Sequence, residues 1–155
     1  MTTIIRVQAQ VFDPGAEIHQ LGVVSRQVGA VTSFIGLVRD INEQAGVSGL
    51  YLEHYPGMTE KQIALIIHEA AQRWQVLAAT VIHRVGALVP ADPIVFVGVA
   101  SQHRGDAFHA CEYIIDFLKT RATFWKKEQT QTGDRWLTTR DSDVDTAAQW
   151  TSGSR

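Results

Sequence analysis

Strand-like runs of β-branched and apolar residues recur along this chain, with only two long helical patterns among them. That irregular alternation is the strongest constraint on its fold. Ile4, Ile5, Val7, Ala9 and Val11 open a strand that ends at the turn signal Asp13-Pro14-Gly15, and a short helix over Ala16–Val24 follows. Gly29–Val38 reads as a buried strand, with Arg39 closing it at the edge of a polar loop, Asp40–Gly49. Gly49–Tyr55 alternates like a strand and stops at Pro56-Gly57, while Ala79–Val85 and Ile94–Ala100 are continuous apolar strands. Thr123–Gln129 and Arg135–Thr139 form a hairpin by composition. The first long helix carries a capping box at Thr59–Gln62 and places Ile63, Ile66, Ile67, Ala70 and Trp74 on one face. The second starts at Asp106 as N-cap and buries Ala107, Ala110, Cys111, Ile114 and Leu118. Strands mixed this way with two main helices predict α+β or mixed α/β, not a doubly wound sheet.

At 155 residues the chain suits one domain, and 45% hydrophobic residues are enough for a core. The reading is a single domain over 1–140 and a polar, mobile tail over 141–155, in which Trp150 is able to dock. One cysteine, Cys111, rules out an internal disulfide framework. No apolar run reaches the roughly 18 residues of a membrane helix, and the opening lacks a signal peptide's basic and apolar regions. The expectation is a cytoplasmic protein with no membrane contact.

A net charge of -2 disfavours a nucleic-acid binder, but the balance is uneven. Residues 117–140 hold six basic side chains (Lys119, Arg121, Lys126, Lys127, Arg135, Arg140) against Glu128 and Asp134. A basic block in an otherwise acidic chain reads either as a local anion site or as a solvated lysine-rich face.

Other chemistries fit less well. The chain has no Gly-rich phosphate loop, no H-E-x-x-H and no G-x-S-x-G, and Cys111 lies on an apolar helix stripe where thiols are inert. His109 and Cys111 point to different faces of one helix, so no metal is expected. The segment Ser101–Asp106 joins a strand end to a helix start, where backbone N–H groups and the helix dipole favour an anion. His103 and Arg104 sit there, and both can grip a phosphate. Lys119 and Arg121 at the far end of that helix serve an anion site, or merely complement the helix dipole.

Leu52–Lys61 (LEHYPGMTEK), Val81–Gly86 (VIHRVG), Ile94–Val99 (IVFVGV), Leu118–Glu128 (LKTRATFWKKE) and Gly133–Trp136 (GDRW) together resemble the large, catalytic subunit of molybdopterin synthase. The similarity runs from about Val28 to Arg140. It implies an α/β hammerhead-type domain with a small antiparallel β subdomain. It also implies a sulfurtransferase that converts cyclic pyranopterin monophosphate to molybdopterin. Sulfur would arrive as a thiocarboxylate on the C-terminal Gly-Gly of a small ubiquitin-like subunit. The implied assembly is a homodimer of this chain within a heterotetramer, with no further cofactor.

Carried over by position, the substrate pocket would use Leu37, Val38, Arg39, His103, Arg104, Lys119, Lys126, Lys127 and Glu128. Lys119 and Lys126 would stand at the reacting centre, and Arg140 would reach across the dimer. Thr123 stands where that family commonly has proline, which bears on the rigidity of the loop. The rival reading is a non-catalytic scaffold for a ubiquitin-like partner, which would need a groove for the tail but not the Arg39, His103 and Arg104 set.

Overall fold

The computed structural model describes the backbone of residues 1–39, 41–42, 45–130, 133–137 and 141–151, and side chains at 1–39, 49–127, 133 and 144–151. In chain order the elements are β1 (Thr2–Gln8), α1 (Pro14–Gly22), β2 (Ala30–Leu37), β3 (Ile41–Asn42), β4 (Ala45–His54), α2 (Met58–Arg73) and β5 (Ala78–Arg84). They continue with β6 (Gly86–Leu88), β7 (Pro93–Ser101), α3 (Arg104–Arg121), β8 (Phe124–Thr130), β9 (Gly133–Leu137) and α4 (Asp141–Thr151).

Two sheets result, as an α+β chain with a second, antiparallel β unit requires. The first runs β1-β5-β7-β2, with β1 parallel to β5 and the other pairs antiparallel. Its two faces are both covered, which is why β5 and β7 are buried along most of their length and largely apolar rather than alternating. Ala79, Val81, Val95, Val97 and Val99 face α2 and α3, packing on Ile63, Ile66, Ile67, Ala110 and Ile114. Ala78, Ile82, Phe96 and Ala100 face Phe12 and Leu21. Gly98 permits that second contact, since a Cβ there would lie 2.4 Å from Leu21 Cδ1. The second sheet runs β3-β4-β8-β9, with β6 also paired to β4. Leu50, Leu52 and Leu88 from this sheet bury against Val38, the residue just beyond β2, and so join the two sheets.

Local details differ from the sequence reading. Helix α2 begins two residues early, on N-cap Gly57 at φ 86, a backbone conformation that glycine adopts without strain. Glu60, not Gln62, reaches back, accepting from the Gly57 N–H at 2.6 Å. Thr59 is drawn inward to other partners. Helix α3 begins at Arg104 with His103 as N-cap, because Asp106 is engaged by the Gln75 N–H at 3.2 Å. The segment read as a polar loop contains β3 and the start of β4, short pairing that composition alone conceals. From Asp141 the chain is helical as α4. Its Trp150 is buried, with Nε1 donating to Asp116 at 2.7 Å and its carbonyl accepting from Arg73 at 3.1 Å. Among the described residues no helix is long and apolar enough to cross a membrane.

Candidate active site

The residues singled out by sequence fall at opposite ends of one strand–helix unit. Strand β7 ends at Ser101, and α3 starts at Arg104 and runs back over the sheet, with the Cys111 thiol donating to the Val97 carbonyl at 3.6 Å midway. At 1.5 Å per residue the helix separates Arg104 from Lys119 by about 22 Å. Strand β2 is antiparallel to β7, with Ala30 opposite Ser101 and Leu37 opposite Pro93. Leu37, Val38 and Arg39 therefore share the end of the sheet where β7 begins and α3 finishes. His103 and Arg104 lie exposed at the other end.

Val38 fixes the first end. It is buried, its N–H donates to the Asp92 carbonyl at 2.9 Å, and its own carbonyl accepts from Ala91 N–H at 2.8 Å. Leu37 and Arg39 on either side are exposed, so Val38 is an anchor that presents Arg39 at the junction of the sheets. Lys126 pairs in register with Leu52, a member of the same apolar cluster, and cross-strand partners share a face. Lys127, one residue on, faces the other way, its ammonium 5.7 Å over the Tyr51 ring. The structure thus separates Lys127 from Lys126. The Glu128 side chain and all of Arg140 lie outside the described residues.

At this junction sits a histidine that the sequence reading left inside an apolar strand. His83 shares the face of Ala79 and Val81 on β5, is 7% exposed, and stacks on Phe124 with centroids 3.8 Å apart and planes at 21°. Its Nδ1–H donates to the Arg84 carbonyl at 2.8 Å, which leaves Nε2 as an acceptor. Burial is the main reason its pKa falls from 6.5 to about 3. The Arg84 carbonyl opposes that fall, and the charges of Lys126, Lys119 and His54 add to it. The imidazole is neutral at physiological pH, and the two lysines lie close enough to help keep it so. A lone histidine in an otherwise apolar strand was the available signal.

Arg121 is used elsewhere. It grips Glu69 of α2 through two bonds of 2.5 and 3.0 Å, and Tyr113 donates to the same carboxylate at 2.9 Å. The Arg121 bond chiefly holds the Glu69 carboxyl below its usual range. Lys119, two residues earlier, is exposed at the helix end. Burial pushes the Cys111 thiol up to about 12, so it is no nucleophile. Among the described residues no group of three His, Cys, Asp or Glu side chains could hold a metal.

A helix-covered mixed sheet, joined to a second, antiparallel sheet with lysines gathered at the junction, defines an α+β protein with a cationic seam between its sheets. The MoaE protein family matches residues 7–121. The chain belongs to that family, the molybdopterin synthase catalytic subunits. The molybdopterin synthase catalytic subunit of Ralstonia nicotianae is 59% identical over 146 residues, covering 94% of this chain and 83% of the relative. The molybdopterin biosynthesis MoaE protein from Burkholderia ambifaria superposes with a TM-score of 0.83 at 45% identity, covering 97% of this chain and 99% of that one. At 19% identity and a TM-score of 0.71, over 89% of this chain and 91% of that one, the fold is shared with a chain of the Helicobacter pylori complex of subunits 1 and 2 of molybdopterin-converting factor.

Proposed function

We propose that this chain, in the cytoplasm, is the catalytic subunit of a molybdopterin synthase that moves sulfur from a small partner's C-terminal thiocarboxylate onto cyclic pyranopterin monophosphate. The observation that carries the reading is that Lys119 and Lys126 both lie close enough to act on neutral, buried His83, at the end of the sheet where β2 leads into Arg39. Family membership supplies the reaction, and the complex known for a protein of the same fold supports a companion subunit.

Each residue has a role that its chemistry suits. Arg39, His103 and Arg104 hold the phosphate and the polar edge of the pterin, because guanidinium groups bind such anions through paired bonds. The thiocarboxylate sulfur attacks a side-chain carbon of the substrate, forming a carbon–sulfur bond as a carbon–oxygen bond to that carbon breaks, and a fixed ammonium stabilises the negative charge on the departing oxygen in a site that excludes water. Water then cleaves the acyl–sulfur bond, leaving sulfur on the pterin and a carboxylate on the partner. Lys119 and Lys126 are the groups for that charge and for the accompanying proton movement. The nucleophile is brought in, so inert Cys111 takes no part.

The span between Arg104 and Lys119 has a consequence for assembly. One chain cannot bring both to a ligand the size of a pterin, so the pocket is completed by His103 and Arg104 of a second copy in a two-fold dimer. The non-catalytic scaffold has no use for lysines gathered beside a neutral histidine. The test is reconstitution: purified chain, thiocarboxylated partner and cyclic pyranopterin monophosphate should yield dithiolene product, and omission of the partner should abolish it. Turnover with free sulfide at the partner-dependent rate would defeat the reading.

A further inference from the structure

Lys119 closes α3 and Lys126 lies on β8, so their separation depends on the three residues that turn helix into strand, Ala122, Thr123 and Phe124. Two of these are held from elements distant in sequence. Thr59, fully buried on α2, has its Oγ1 2.8 Å from Thr123 Oγ1 and donates to the Thr123 carbonyl at 3.0 Å. The same oxygen accepts from the Tyr55 N–H at 3.1 Å, which ties the end of β4 to the cluster. Phe124, the next residue, is covered by the His83 ring of β5 at 3.8 Å. Ala122 adds an extended conformation, φ -75 and ψ 140, and its carbonyl accepts from Phe124 N–H at 3.0 Å.

We propose that Thr59 and His83 are positioning residues: the Thr59–Thr123 hydroxyl pair and the His83–Phe124 stack clamp the α3–β8 junction and thereby set Lys126 relative to Lys119. This rests on the reading of the two lysines as the groups at the reacting centre. The buried hydroxyl pair has a clear physical cost if broken. Without Oγ1 of Thr59, the Tyr55 N–H and the Thr123 carbonyl and hydroxyl lose a partner in a site largely shielded from water. The junction would then relax, and a shift of about 1 Å at a catalytic group can cost on the order of 100-fold in rate.

The test uses the reconstituted synthase with saturating partner, at a temperature where every variant is folded by circular dichroism. Thr59→Val, which keeps shape and removes the hydroxyl, should lower kcat about 10- to 100-fold with pterin KM and partner affinity little changed. Thr59→Ser should restore it. His83→Phe, which keeps a ring on Phe124, should retain far more kcat than His83→Ala. Ile66→Val, a core change on the same helix, supplies a variant of reduced thermal stability whose kcat should match wild type. Lys119→Ala is assayed alongside. An inactive Lys119→Ala with fully active Thr59→Val overturns the clamp alone, and a fully active Lys119→Ala overturns the reading beneath it. Equal losses in Thr59→Val and Ile66→Val also overturn the clamp, since stability alone would account for them.

Discussion

Pairing two impaired variants tests whether the site is shared between copies. Arg104 opens α3 and Lys119 lies near its end, about 22 Å away at 1.5 Å per residue. Arg39 stays with Lys119, because β2 pairs antiparallel with β7 and ends at its start. Lys119→Ala alone should lose about 100-fold in rate. Arg104→Ala alone should lose a charge-assisted bond of about 1.5–3 kcal/mol, tenfold or more in kcat/KM. In a dimer of one variant with the other, a shared arrangement creates one site with both lesions and one with neither. Mixed dimers isolated through two different tags should therefore show about half the wild-type kcat/KM, as two-fold symmetry dictates. The assay is dithiolene formation at substrate well below KM. Mixed dimers whose kcat/KM is only the mean of the two parents' values would refute the shared site and the span argument with it.

Further outcomes follow from the same geometry. Lys119→Arg should fold and bind the partner yet lose about 100-fold in rate, because arginine stays protonated and presents a broad planar head. Exposed Lys61 on α2 is the control, and Lys61→Ala should be near neutral; full activity of Lys119→Arg would leave Lys119 a role of charge only. Calorimetry should show that Arg104→Ala weakens pterin binding more than partner binding, whereas an intact pterin affinity with a broken complex would move this arginine to a subunit contact. His83 predicts a pH dependence of stability. Its folded pKa lies below that of the unfolded chain, so as pH falls below about 6.5 the unfolded state takes up a proton that the folded state refuses. Stability should fall with a slope of up to about 1.4 kcal/mol per pH unit for this group, and urea titrations of His83→Phe should lack that component. An unchanged slope in His83→Phe would contradict the burial of a neutral imidazole beside Lys119, Lys126 and His54.

The strands and helices were legible where a burial pattern imposes itself. The apolar runs of β5 and β7 and the Ile63–Ala70 face of α2 announce themselves because both sheet faces are covered. Caps were less legible, since they depend on competition among local acceptors. Asp106 looks like an N-cap until Gln75, a residue distant in sequence, engages it, and Thr59 looks like one until Thr123 draws it inward. The hairpin pairing of β3 with β4 has no apolar signature to read. Charge and motif pointed to Arg39, His103, Arg104, Lys119 and Lys126, but only topology shows which of them share an end. Lys126 and Lys127 look equivalent in sequence, and strand alternation sends them to opposite faces. His83 was hidden by its own surroundings: a histidine within an apolar run looks like core until Phe124 and the two lysines arrive from β8 and α3.

The origin of the product's sulfur is the most direct test of the account. A partner carrying a ³⁴S-labelled thiocarboxylate is mixed with this chain and cyclic pyranopterin monophosphate, and the isotopic mass of the product is measured, with a Cys111→Ser chain run in parallel. The buried thiol and the gathered lysines predict that both dithiolene sulfurs carry the label and that Cys111→Ser performs like wild type. Unlabelled sulfur in the product, or loss of transfer on replacing Cys111, would contradict it.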